Sequence, residues 1–408
     1  MKKIIINGAK ALKGEISVSG SKNAALPIIF ACILTNGVSE IENLPSIGDV
    51  FVALNLLRSF GAKIEQFGTT TFIDTRGLSY VTPDPILTSK IRASTYLLGS
   101  CLSRFGRCHL QAFGGCNFSH RPIDMHIDAC LTLGGEMDGD IIRTAGLHGG
   151  EIHFAKASVG ATVNAILLAS SADGETQIHG CAVEPHIDSL IEFLISCGAK
   201  ISRQGRDVSV VGSSLHGGRI RVAGDAIEAG SYLTLGLMTG GNILVKNAPI
   251  ESMSAFFDAT SRIGAELTVK EGVVKACLTS SEYLSITTSP YPGFPTDLQP
   301  ILAPLMALCS GGEITDTVWK DRFGYLSSLS AFGIRSSVVG NKALIYPSKI
   351  HSGSATSPDL RGGMACLMTA LATRGQSEIL SLDTILRGYE DLEKKLSTLG
   401  ADIKIEDL

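Results

Sequence analysis

Leu57-Arg-Ser-Phe-Gly-Ala-Lys-Ile recurs almost unchanged as Leu194-Ile-Ser-Cys-Gly-Ala-Lys-Ile and as Leu396-Ser-Thr-Leu-Gly-Ala-Asp-Ile. Each copy ends a helix-like stretch on a glycine and runs straight into a β-like segment. Looser copies surround Gly134, Gly264 and Gly333, so the markers Gly61, Gly134, Gly198, Gly264, Gly333 and Gly400 stand 73, 64, 66, 69 and 67 residues apart. Glycine belongs there because the residue just past a helix commonly needs positive φ, which costs any side chain with a Cβ.

Working outward, Val50, Ala53, Leu54 and Leu57 fall at i, i+3, i+4 and i+7, one face of an amphipathic helix with Asp49 near its start. Tyr389, Leu392, Leu396 and Leu399 repeat that face before Gly400. Strand-like stretches precede the helices (Val38-Ser-Glu-Ile, Arg107-Cys-His-Leu, Ile243-Leu-Val, Glu378-Ile-Leu) and follow them (Lys63-Ile-Glu, Asp402-Ile-Lys-Ile). The expected fold is therefore α/β (α+β), built from six repeated β/α units with apolar helices inside and sheets outside.

A chain of 408 residues is too long for one core and implies two or three domains. Hydrophobic residues make up 44% and charged ones 18%, ample for a large core. A net charge of −4 argues against a nucleic-acid partner, which calls for a basic face. It leaves room for a small anion met by a few focused cations. The start, Met1-Lys-Lys-Ile-Ile-Ile-Asn-Gly-Ala, lacks a long apolar run with a cleavage site, and no run reaches the length of a membrane span. The ten cysteines sit in apolar text without a Cys-x-x-Cys pair. Most of them read as small buried hydrophobes of a reducing cytoplasm, and the same spacing argues against a zinc site.

The loop from strand to helix is constant except once. Ile41, Ile178, Val245, Ile314 and Leu380 lie 20, 20, 19, 19 and 20 residues before their marker glycines, but Leu110 lies 24 before Gly134. The long loop reads Ala112-Phe-Gly-Gly-Cys-Asn-Phe-Ser-His-Arg-Pro-Ile-Asp. Insertions on a regular scaffold are often functional. Gly114 and Gly115 give Cys116 a flexible mount, with Arg121 and His126 close by; a thiol near cations is a nucleophile or proton donor, and the alternative is a loop cysteine without a role.

Val18-Ser-Gly-Ser-Lys-Asn-Ala-Ala-Leu-Pro places Lys22 and Asn23 at a helix start, where free N–H groups favour an anion, or else Lys22 is a solvated lysine. The Walker spacing is absent. Asp297, in Phe294-Pro-Thr-Asp-Leu-Gln, is either an N-cap carboxylate or a site residue. Arg322 and Arg387 lie in loops equivalent to that of Cys116. If these loops converge, three cations and a carboxylate face one thiol, a site suited to a small polyanion such as a phosphorylated carboxylate.

Ser19-Gly-Ser-Lys-Asn-Ala-Ala-Leu-Pro, Ile91-Arg-Ala-Ser, Gly114-Gly-Cys-x4-Arg-Pro-x-Asp, Lys156-Ala-Ser-Val-Gly-Ala-Thr, Phe294-Pro-Thr-Asp and Leu386-Arg-Gly-Tyr-Glu together resemble the UDP-N-acetylglucosamine 1-carboxyvinyltransferases. These are the enolpyruvyl transferases that open bacterial peptidoglycan synthesis, and the likeness runs in register along essentially the whole chain. It implies a two-domain inside-out α/β barrel with three units per domain, residues 21–227 forming one and residues 1–20 plus 228–408 the other. It also implies a cleft that closes on the substrates, with the Cys116 loop as lid.

The resemblance further assigns roles. Cys116 matches the general acid toward C3 of phosphoenolpyruvate. Lys22, Asn23, Arg121 and Arg387 match residues that hold phosphoenolpyruvate, with Lys22 and Arg387 also catalytic. Arg92, the run Arg121, Pro122, Ile123, Asp124 and Met125, and the run Lys156, Ala157, Ser158 and Val159 match contacts to UDP-N-acetylglucosamine. Asp297 matches the base that takes the proton of the sugar 3-hydroxyl, Val318 a sugar contact, and Asp359 with Arg361 a pair lining the cleft. No metal or organic cofactor is implied, nor a membrane or nucleic-acid partner; a cytoplasmic monomer or weak homo-oligomer is. Lys320 and Ala226 depart from the family pattern, where an acidic residue and an arginine are expected, and bear on the acceptor. The alternatives are an enolpyruvyl transferase for another acceptor (a nucleotide of secondary metabolism, or shikimate 3-phosphate) and a non-catalytic repeat scaffold. The shikimate version calls for Asp-Lys-Ser where Ser21-Lys22-Asn23 stands.

Overall fold

A computed structural model describes residues 2–110, 114 and 122–407. All six marker glycines have positive φ, from +84° at Gly333 to +105° at Gly264. Each stops a helix and turns the chain into a strand, so the sequence period is the structural period.

Among the described residues, twelve helices carry the repeats. They are α1 (Lys22–Ala31), α2 (Gly48–Ser59), α3 (Leu97–Phe105), α4 (Asp124–Thr132), α5 (Val159–Ala169), α6 (Pro185–Ser196), α7 (Ala226–Thr239), α8 (Ser254–Arg262), α9 (Gln299–Leu308), α10 (Tyr325–Ser330), α11 (Leu360–Ala372) and α12 (Leu392–Thr398). The odd-numbered ones are mainly apolar and buried over most of their length, α3 from Leu97 to Leu102. In α11 every residue from Leu360 to Leu371 is buried. The even-numbered ones are amphipathic: α2 buries Val50, Ala53 and Leu57 while Phe51 and Arg58 face water. Helix α12 begins at Leu392, so Tyr389, expected on its face, lies in the preceding loop.

The chain forms two compact units, Met1–Ser19 with Gly224–Leu408 and Gly20–Ala223. The crossovers thus fall at 19/20 and 223/224, where the resemblance implies 20/21 and 227/228. Local contacts fix the shift. A Cβ at Gly20 would strike the carbonyl of Asn43, whereas the Asp225 amide donates to the Ser19 carbonyl at 2.9 Å and its side chain caps α7.

Within each unit three buried helices form the centre: α7, α9 and α11 pack on one another, and α3 packs on both α1 and α5. Separate sheets cover them. A strand leading into an inner helix pairs parallel with the strand leaving it, and a hairpin completes the sheet. Leu284–Thr288 pairs with Gly312–Asp316, Ile286 opposite Ile314, and Lys342–Tyr346 with Arg335–Val339 follows. Five sheets have four strands and the sixth three among the described residues, and they do not join into a closed ring of strands. Two leading strands belong to the chain about to cross over: Lys13–Ser17 pairs with Asn242–Lys246, and Arg219–Arg221 with Val38–Glu42. Lys2–Asn7 lies between Gln376–Leu380 and Asp402–Asp407, closing the last repeat. Among the described residues no helix is long and apolar enough to cross a membrane.

Candidate active site

The two units finish their inner helices with opposite chemistry. In residues 20–223 the first turns of α1 and α5 hold no acidic residue. Ser21 precedes α1 in extended backbone without a side-chain cap, and Ser158 caps α5 by accepting from the Ala161 amide at 3.3 Å. The positive ends of these helices are left for an anion. Lys22 stands at the first position of α1, its ammonium 3.3 Å from Asp49 in the first turn of α2, with Asn23 half-buried beside it. Lys156 is exposed just before α5, and Val159 half-buried at its start.

Arg92 opens the 3-10 turn that leads into α3, and burial lowers its pKa. His126 of α4 is buried; burial first, then the charge of Arg92, pushes its pKa down to about 4, so it is neutral near pH 7. Pro122 and Asp124 are exposed and Ile123 and Met125 half-buried where α4 begins.

In the other unit carboxylates already occupy the starts of α7 and α11. Asp225 accepts from the amides of Ile227 (2.8 Å) and Glu228 (3.0 Å) at α7, and Asp359 from those of Arg361 (2.9 Å) and Gly362 (3.0 Å) at α11. Asp297 does not cap α9, which starts at Gln299 after an N-cap at Leu298. Its oxygens pair instead with Arg322 Nη2 at 2.6 Å and Arg361 Nε at 3.3 Å. Of the two sequence alternatives, the geometry therefore takes Asp297 out of capping. Arg322, read as one of three cations for the thiol, is buried against this carboxylate. Arg361 is 3% exposed, its Nη1 and Nη2 have no hydrogen-bond partner among the described residues, and its guanidinium carbon lies 5.4 Å from the Tyr389 ring centroid.

Two supports escaped the sequence reading. Asp316 is buried at the end of its strand and accepts from Thr288 Oγ1 (2.8 Å), Thr296 Oγ1 (2.6 Å) and the amides of Val318 and Trp319 (both 2.9 Å). It ties the segment before Asp297 to the loop carrying Val318. The signal available was an Asp ending an apolar strand, able to fold the next residues into an Asx turn. The second is Glu228, buried in α7, which pairs with Lys395 at 2.5 Å and accepts from the Ser19 amide at 2.8 Å. Arg387 is half-buried in the loop before α12. Lys320 is exposed, and Ala226 is the first residue of α7. Cys116 and Arg121 lie outside the described residues.

Residues 6–396 match the family described as EPSP synthase (3-phosphoshikimate 1-carboxyvinyltransferase). A UDP-N-acetylglucosamine 1-carboxyvinyltransferase 1 of Streptococcus agalactiae serotype Ia is 38% identical over 419 residues, covering 99% of each chain. The chain belongs to the UDP-N-acetylglucosamine 1-carboxyvinyltransferase family. Another member, from Halothermothrix orenii, is 37% identical over 414 residues, again with 99% of each chain covered. The family fold extends to solved structures. The enolpyruvyl transferase NikO from Streptomyces tendae has a TM-score of 0.88 at 24% identity over 99% of both chains. EPSP synthase from Acinetobacter baumannii has a TM-score of 0.75 at 19% identity over 100% of both.

Proposed function

We propose that this enzyme transfers the enolpyruvyl group of phosphoenolpyruvate to the 3-hydroxyl of UDP-N-acetylglucosamine and releases phosphate, the first committed step of peptidoglycan synthesis. One observation carries the reading: Asp297, placed where a helix cap would be expected, is instead held on both oxygens by Arg322 and Arg361. A carboxylate fixed in direction and kept out of capping can be aimed at a substrate hydroxyl.

Lys22, Asn23, Arg121 and Arg387 hold the phosphate and carboxylate of phosphoenolpyruvate, offsetting charge that would repel an incoming oxygen. Cys116 delivers a proton to C3, which makes C2 electrophilic. The sugar 3-hydroxyl attacks C2 as Asp297 takes its proton. Loss of a C3 proton and of phosphate then restores the double bond as an enol ether. General acid and general base each contribute roughly 100- to 10,000-fold. Arg92, the run Arg121 to Met125 and Lys156 to Val159 hold the nucleotide sugar, its diphosphate at the start of α5, with Val318 against the sugar. The chemistry calls for no metal or organic cofactor, and its substrates belong to the cytoplasm.

Incubation with both substrates should release phosphate in step with consumption of phosphoenolpyruvate. No release at any pH from 6 to 9 rules the reading out. An acceptor screen with the same readout, including shikimate 3-phosphate and other nucleotides, tests whether Lys320 and Ala226 have changed the acceptor.

A further inference from the structure

Asn164, buried in the second turn of α5, has its carbonyl and both amide hydrogens engaged. Its Oδ1 accepts from the Gly99 amide of α3 at 2.7 Å, and its Nδ2 donates to the Thr95 carbonyl at 3.0 Å. Both partners are backbone groups with fixed roles, so the amide has one orientation only. The remaining Nδ2 hydrogen points to His126 Nδ1 at 2.6 Å. That nitrogen must accept, so the ring proton sits on Nε2.

His126 is 4% exposed, and Nε2 has no hydrogen-bond partner among the described residues. The free edge of the ring is turned to the beginning of α5: a Cβ on Gly160 would lie 2.7 Å from Cε1 and 3.0 Å from Nε2. Glycine there lets the imidazole close on the helix start. Arg92 and Asp124 are the charged groups that act on the ring.

We propose that Asn164 is a positioning residue for the nucleotide sugar: by fixing the tautomer of His126 it presents a neutral Nε2–H donor to a diphosphate oxygen seated at the start of α5. A neutral donor satisfies one oxygen without adding a buried positive charge beside Arg92. The inference rests on the functional reading above, which places the diphosphate at that helix start.

The tautomer is tested without substrate. Nitrogen-15 shifts of His126 in the labelled full-length protein should show Nδ1 bare and Nε2 protonated at neutral pH; a protonated Nδ1 overturns the proposal. Adding UDP should move the Nε2–H resonance. If the enzyme turns over the nucleotide sugar yet UDP leaves that resonance unmoved, the proposal fails while the functional reading stands. Asn164→Asp turns the donor facing Nδ1 into an acceptor and so reverses the tautomer. It should raise KM for the nucleotide sugar about ten- to a hundredfold, the effect of losing a hydrogen bond to a charged group, with little change in kcat or in KM for phosphoenolpyruvate. An unchanged KM overturns the proposal. If Asn164→Asp does not fold, His126→Asn and His126→Gln decide: the glutamine amide reaches the Nε2 position and the asparagine amide does not. The asparagine variant should have the larger rise in KM, and equal rises refute the role of Nε2.

Discussion

Arg322 reaches across 25 residues to Asp297, Nη2 to Oδ1 at 2.6 Å, and leaves the second carboxylate oxygen to Arg361 at 3.3 Å. The arginines are 7% and 3% exposed and the carboxylate 28%. The aspartate is thus the charge that lets two buried cations stand together, besides being the proposed base.

Asp297→Asn should separate these two roles. Removing the base lowers kcat roughly 100- to 10,000-fold. Removing the charge strands Arg361, costing up to about 3 kcal/mol, the low end for a buried pair because Asp297 is part-exposed. The double variant Asp297→Asn/Arg361→Met should regain most of that stability and none of the activity, read by urea denaturation and phosphate release. A single variant with wild-type kcat disproves the base assignment.

The marker glycines share a conformation but not a neighbourhood. At Gly400, with φ +85°, a Cβ would meet nothing within 4 Å; at Gly264, with φ +105°, it would lie 2.6 Å from the Ser280 carbonyl oxygen. Gly400→Ala should cost the backbone term alone, about 1–2 kcal/mol. Gly264→Ala should add about 1–3 kcal/mol of steric strain. Equal urea midpoints for the two variants would show that φ alone sets the requirement.

These glycines explain why the fold was legible. A helix end is decided by one residue and its φ, so Gly61, Gly198 and Gly400 announce it locally, and the apolar face of α2 follows from spacing. What was not legible depends on distant partners. Asp297 reads equally as a cap or as a site residue until Arg361, 64 residues on, takes its oxygen. Asp316 gathers Thr288 and Thr296, 28 and 20 residues away, and Glu228 finds Lys395 across 167. Tyr389 matched the helical face of Leu392 by spacing, yet it lies outside α12, its ring centroid 5.4 Å from the Arg361 guanidinium carbon and its hydroxyl 2.8 Å from Ser231 Oγ, 158 residues away.

Glu228 gives a pH signature. Burial, only partly offset by Lys395, raises its pKa from 4.5 to about 6. The folded protein therefore holds this proton where the unfolded chain has lost it, and stability falls as pH rises from 4.5 to 6. The loss amounts to about 2 kcal/mol at 1.36 kcal/mol per pH unit. Glu228→Gln should lack that slope, so the stability of wild type relative to the variant declines across this window. Parallel stability curves between pH 4.5 and 6 would show that Glu228 ionises alike in both states.

The cysteines offer the sharpest test of the loop that carries Cys116. Of the nine in the described residues, eight are buried and Cys277 is exposed. Burial raises the Cys181 thiol to about 11 and Cys197 to about 12, so at pH 7 about one molecule in ten thousand or fewer carries either thiolate, the reactive form. A neutral alkylating agent such as iodoacetamide should therefore modify Cys277 readily, because exposure alone selects it. A small anionic epoxide such as fosfomycin needs cations as well, and the proposed phosphoenolpyruvate site around Lys22, Arg121 and Arg387 supplies them. Peptide mass spectrometry should find the epoxide on Cys116 ahead of Cys277, with Lys22→Met slowing the reaction at Cys116 and leaving the iodoacetamide rate at Cys277 as it was. Preferential epoxide labelling of Cys277 would mean that no anion site lies beside Cys116, and the assignment of that thiol as the proton donor would fall with it.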